Sequence, residues 1–134
     1  MIFLDTSFIV SYKIENDKHH EEAINLMKRI ANGKSGRPII SDYIFDETVT
    51  VVFSRSKKLS IALEMGDELK KSVEIIRIDE SVFEDGWKIF KNQKNTKFSF
   101  TDSTTLALMN KENIKNIATF DEDFKKIKKI NVIG

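Results

Sequence analysis

The chain has 134 residues, 40% hydrophobic and 32% charged, with 22 basic against 21 acidic side chains for a formal charge of +1. This is the composition of one globular domain rather than a disordered or fibrous protein, and so balanced a charge neither demands nor excludes nucleic acid. Cysteine is absent, which excludes disulfides, a thiolate nucleophile and Cys-ligated zinc or iron–sulfur sites.

In chain order, Met1 to Leu4 is an apolar run without alternation that ends in Asp5, Thr6 and Ser7. Such a run suits a strand covered on both faces, the central strand of a parallel sheet. Asp5 interrupts the apolar character and no cationic leader precedes it, which argues against a signal peptide. No stretch approaches the roughly 18 uncharged apolar residues of a membrane helix, so a cytoplasmic protein is expected.

Asn16 to Glu22 opens a helix, with an Asx cap and acids in the first turn; Ala23, Leu26, Met27 and Ile30 follow at helical spacing and Gly33 stops it. His19 and His20 point about 100° apart on a helix and make a poor pair of ligands, so they read as solvated first-turn residues. Arg37 to Ser41 is a short strand. Asp42 to Lys58 contains the β-branched Thr48 to Val52, yet Asp42 can cap, and Ile44, Thr48, Val51 and Val52 share a helical face; the spacing predicts a helix. Leu59 to Lys71 is a second helix, with Ile61 or Ala62, Met65 and Leu69 as its stripe. Val73 to Ile78 is a strand. Ser81 to Lys91 is a helix whose Phe83, Trp87 and Phe90 form an aromatic stripe, read as core or a subunit contact.

Lys91 to Lys97 is a basic, polar loop. Thr101 can cap a helix from Asp102 to about Lys111, Asn116 to Phe120 is a strand, Asp123 to Lys129 a short helix, and Ile130 to Ile133 a last strand. Alternating strands and helices predict a three-layer α/β/α sandwich on a parallel sheet of about five strands, one domain over residues 1–134.

Three acids sit oddly for solvated charges. Asp5 and Asp121 end strands, and Asp102 begins a helix on the same face as Leu106 and Met109. Glu47 lies in an otherwise apolar segment. Acids at strand carboxyl ends and helix amino ends converge on one edge of a parallel sheet. Crowded carboxylates repel unless a cation balances them, and an all-oxygen donor set suits Mg2+ or Mn2+, which orients a phosphodiester and generates hydroxide. Against this, Asp102 could only stabilise its helix terminus, Asp121 could cap the last helix, and Glu47 could be a surface residue.

Leu4-Asp5-Thr6-Ser7, Asp46-Glu47, Phe100-Thr101-Asp102 and Ala118-Thr119-Phe120-Asp121-Glu122-Asp123-Phe124 together resemble the PIN-domain ribonucleases, and over the full length the VapC-type toxins of prokaryotic toxin–antitoxin pairs. The resemblance implies an acidic site of Asp5, Glu47, Asp102 and Asp121, with Asp123 as an ancillary metal ligand and Thr6 or Ser7 as supporting hydroxyls. It selects Glu47 over Asp46. It further implies Mg2+- or Mn2+-dependent cleavage of single-stranded RNA, homodimerisation, and a small antitoxin protein as partner. Arginines are few, so lysines such as Lys94 and Lys97 would carry much of the phosphate contact. Two rival readings stand beside it. In a haloacid-dehalogenase-like phosphatase the Asp after the first strand is a nucleophile, but the second acid two residues on is here Ser7. A catalytically inactive PIN-like module would bind RNA or protein without cutting.

Overall fold

The computed structural model describes all 134 residues. Five parallel strands form one sheet: β1 (Ile2–Leu4), β2 (Pro38–Ser41), β3 (Glu74–Ile76), β4 (Asn116–Ala118) and β5 (Asn131–Ile133), in the order β3-β2-β1-β4-β5. Six helices flank it: α1 (Thr6–Lys13), α2 (His20–Ala31), α3 (Asp42–Ser56), α4 (Leu59–Ser72), α5 (Glu80–Asn92) and α6 (Phe100–Lys111). A 3₁₀ turn over Glu122–Lys126 links β4 to β5. The expected three-layer α/β architecture is therefore present.

β1 is central, as its unalternating sequence requires: Ile2, Phe3 and Leu4 are at most 1% exposed. Its ladder runs to β2 through Phe3 and Ile39 and to β4 through Phe3 and Ile117. The chain steps from β1 outward to β2 and β3, then crosses back to β4 on the other side of β1. That reversal opens a crevice between the carboxyl ends of β1 and β4, the place where open α/β sheets put their ligands. The residues after those two ends are Asp5 and Thr119.

Several element boundaries differ from the sequence expectation. Thr6 to Lys13, to which the sequence assigns no element, is a helix: after Asp5 turns the chain, Phe8, Ile9 and Val10 bury a helical face. The Asx residue Asp17 accepts from His19 N at 2.9 Å in a turn that precedes α2, so α2 starts at His20. Ser41, not Asp42, caps α3 through Ile44 N, while Asp42 accepts from Ile78 N and ties α3 to the chain after β3. Ser99, not Thr101, caps α6. The final helix is one 3₁₀ stretch ended at Lys126. The β-branched segment of α3 is helical because Ile44, Thr48 and Val52 are fully buried on one face, and that packing overrides β propensity. Phe83 and Trp87 are 41% and 47% exposed, so their stripe is a surface patch resting on Phe100 rather than core.

Candidate active site

Asp5 is the residue the topology places at the crevice. Its backbone extends the β1–β4 ladder, with Asp5 N donating to Ala118 O at 3.0 Å. It occupies the N-cap position of α1, yet its carboxylate makes no capping bond. Instead Oδ2 accepts from Thr119 Oγ1 at 2.7 Å and from Ser7 Oγ at 3.0 Å. Both hydroxyls are held in turn: Ser7 Oγ accepts from Phe120 N at 3.0 Å and Thr119 Oγ1 from Asp121 N at 3.0 Å. The other oxygen, Oδ1, is buried and has no hydrogen-bond partner. A buried carboxylate oxygen left alone is costly, and marks a place for a proton or a cation.

Asp102 stands at the third position of α6 in a reciprocal capping box: Oδ2 accepts from Ser99 N at 2.9 Å, and Ser99 Oγ accepts from Asp102 N at 3.0 Å. Its structural role and its position in the cleft are thus both real. Glu47 lies half-buried on α3 and lines the cleft, whereas Asp46 is exposed and does not line it. Asp121 follows β4 and its Oδ1 accepts from Asp123 N at 3.0 Å, capping the 3₁₀ turn. Asp5, Glu47, Asp102 and Asp121 line one cleft of about 510 Å3, together with Thr6 and Ser7. Thr6 is buried beneath it, 3.5 Å from Thr48 Oγ1.

The electrostatics bind the four acids into one unit. Burial first, then the charge of Asp102 and more weakly that of Glu47, push the Asp5 carboxyl up to about 7, against the pull of the Thr119 and Ser7 hydroxyls. Burial, with repulsion from Asp121 and Glu47, raises Asp102 to about 6 despite the Ser99 N–H. A fifth cleft acid behaves in the opposite sense. Asp17 pairs with Arg55 at 2.8 Å; although burial raises it, the Arg55 and His19 N–H bonds hold it down at about 2. Asp17 is neutralised by its own cation, and the other four are not.

Asp123 stands apart. Its Oδ1 meets Lys126 Nζ at 2.8 Å, its Oδ2 accepts from Lys97 N at 2.7 Å, and it does not line the cleft. Lys94 and Lys97 are also elsewhere; Lys94 lines a separate depression with Asn95 and Lys126. The basic side chains in the cleft are Lys18 and Arg55. The histidines are not simply solvated either: His20 Nδ1 lies 2.8 Å from Ser11 O, and His19 stacks on Phe120 inside the cleft. Nothing in the local pattern around His19 announces this, because the contact spans 101 positions of sequence. Thr119 was equally hidden, as one hydroxyl within an apolar strand end.

No three acidic or histidine side chains yet share one coordination point. The donor set still fits a hard cation: all oxygen, mutually repelling, and anchored by a rigid Asp5 with an unpartnered buried oxygen.

A family model of the PIN domain matches residues 2–130. The chain is similar to the 23S rRNA-specific endonuclease VapC20 of Mycobacterium tuberculosis, 28% identical over 124 residues that cover 92% of each chain. It is 27% identical to a VapC ribonuclease of Archaeoglobus fulgidus over 90% of this chain and 77% of that one. The crystal structure of M. tuberculosis VapC20, described as a Sarcin-Ricin loop cleaving toxin, superposes with a TM-score of 0.84 at 26% identity, covering 97% of both chains. VapBC2 from Rickettsia felis, bound to a promoter DNA fragment, shares the fold at a TM-score of 0.71 and 20% identity, over 99% and 98% of the two chains.

Proposed function

The chain belongs to the PIN-domain family, and we propose that it is an endoribonuclease acting on single-stranded RNA, the toxin of a type II toxin–antitoxin pair. The observation that carries the reading is the convergence of Asp5, Glu47, Asp102 and Asp121 on one cleft, with Asp5 Oδ1 buried and unpartnered. Relatives that cut RNA align over nine-tenths of the chain. Residues 1–134 act as one nuclease domain. No helix is long and apolar enough to cross a membrane. A toxin acting on the cell's own RNA would meet that substrate in the cytoplasm.

These four acids would hold Mg2+ or Mn2+, which when bound supplies Lewis-acid activation of the phosphodiester and a water of lowered pKa. The chain's own contribution is positional. Thr119 and Ser7 fix Oδ2 of Asp5 and leave Oδ1 free to bind. Ser99 orients Asp102 through the capping box, and Glu47 approaches from α3. Asp123, ion-paired with Lys126, acts at most through Asp121, whose Oδ1 accepts its backbone N–H. Lys18 places a cation in the cleft where a flanking phosphate of a strand would lie, while Arg55 is paired with Asp17. A homodimer and a small antitoxin complete the proposal; the antitoxin would switch off an activity that is otherwise toxic.

Cleavage of single-stranded RNA, with and without chelator, tests this reading. Asp5→Asn and chelation are each expected to reduce turnover by at least 100-fold, in line with loss of a residue that acts as part of a unit. Cleavage that survives both treatments would sink it. Binding without metal-dependent products would point instead to an inactive RNA-binding module.

A further inference from the structure

The imidazole of His19 lies flat on the phenyl ring of Phe120, with centroids 4.4 Å apart and planes only 8° from parallel. Phe120 is itself fixed: its backbone N donates to Ser7 Oγ, and its ring meets Phe8 at 6.1 Å. The backbone of His19 is also held, since its N donates to Asp17 Oδ1 and Asp17 is clamped by Arg55. The ring therefore has one face covered and a defined orientation. Its side chain retains 36% exposure, and it lines the same cleft as the four acids. Phe120 lies directly between Thr119, which holds Asp5, and Asp121.

An oriented aromatic ring lining an acid-lined cleft, with Lys18 beside it, matches the two needs of a single strand: a surface for a base and a cation for its phosphates. We propose that His19, backed by Phe120, is the platform on which a base of the RNA strand stacks next to the cleaved phosphodiester. This rests on the nuclease reading and goes beyond it by assigning a residue that binds a base. Stacking accepts any base, so the platform sets the register of the strand without reading its sequence. Glu22 Oε2, on α2, stands 3.8 Å from His19 Nδ1, at a ring nitrogen.

The test compares His19→Phe, His19→Ala and His19→Lys in the full-length chain. Binding of a short single-stranded RNA carrying 2-aminopurine is followed by fluorescence in the presence of chelator, so that no product forms. His19→Phe should bind and quench like the wild type. His19→Ala and His19→Lys should bind roughly 5- to 100-fold more weakly. If His19→Lys binds as well as wild type while His19→Phe does not, the side chain contacts phosphate through charge and the platform is wrong. Equal binding by all three overturns it as well, as does a loss common to all three. Because the measurement excludes cleavage, it can succeed while the nuclease assay fails, or fail while that assay succeeds.

Discussion

Asp5 is a carboxylate held in a place that suits a neutral acid or a cation-bound anion better than a bare charge. Its carboxyl rises from an ordinary 3.8 to about 7, chiefly by burial and then by the charge of Asp102. Between those two values folding takes up a proton. The stabilisation this brings is fully present below about 3.8 and is lost as pH rises through about 7. Asp5→Asn keeps the shape and can still accept from Thr119 and Ser7, but carries no charge. In chelator at pH 8 the variant should therefore be more stable than wild type by about 1–3 kcal/mol, a difference that vanishes near pH 4. Urea denaturation at the two pH values measures this. A variant less stable than wild type at pH 8 would show that the hydrogen bonds of Asp5 outweigh its desolvation.

At the scale of elements, the sequence was informative wherever packing follows periodicity. The stripes of α2 and α4 are buried at Ala23, Leu26 and Ile30 and at Ala62, Met65 and Leu69, as their spacing predicts. α1 was illegible because Phe8, Ile9 and Val10 are all buried, so no polar face reveals the period. The acids of the site were legible from their positions at strand and helix ends. Thr119 and His19 were not, because what matters in each is a contact more than 100 positions away. The same blindness covers Gly86, which reads as a weak point in α5. A Cβ there would lie 2.8 Å from Thr104 Cγ2 and 3.1 Å from its Cα, so the glycine sets how closely α5 meets α6. Helix propensity alone favours Gly86→Ala by about 1 kcal/mol. Overpacking against a backbone costs about 1–3 kcal/mol and should win, leaving the variant about 1 kcal/mol less stable. Thr104→Ser, which removes Cγ2, should recover part of the loss. A Gly86→Ala chain with a higher denaturation midpoint would refute the close-packing account.

Across the whole molecule, the formal charge of +1 conceals a strong local imbalance. Asp17 has Arg55, Asp79 has Lys111 and Asp123 has Lys126, while Asp5, Glu47, Asp102 and Asp121 share a cleft with no ion pair among them. The fold gathers these four from the ends of β1 and β4 and from α3 and α6, so repulsion among them acts on several elements together. A divalent cation that binds only the folded chain should therefore act on global stability. At a hundred times its dissociation constant it adds about 2.7 kcal/mol, or on the order of 5–10 °C in melting temperature for a domain of this size. Protons compete for the same oxygens, because burial and mutual repulsion among the four acids raise Asp5 to about 7 and Asp102 to about 6. The Mg2+- or Mn2+-induced shift should then be large at pH 8 and small at pH 5. Asp5→Asn should lose most of it at both. Thermal scans at matched ionic strength separate this from salt screening, which would move wild type and Asp5→Asn alike. A pH-independent shift shared by the two proteins would mean that no cation joins the four acids.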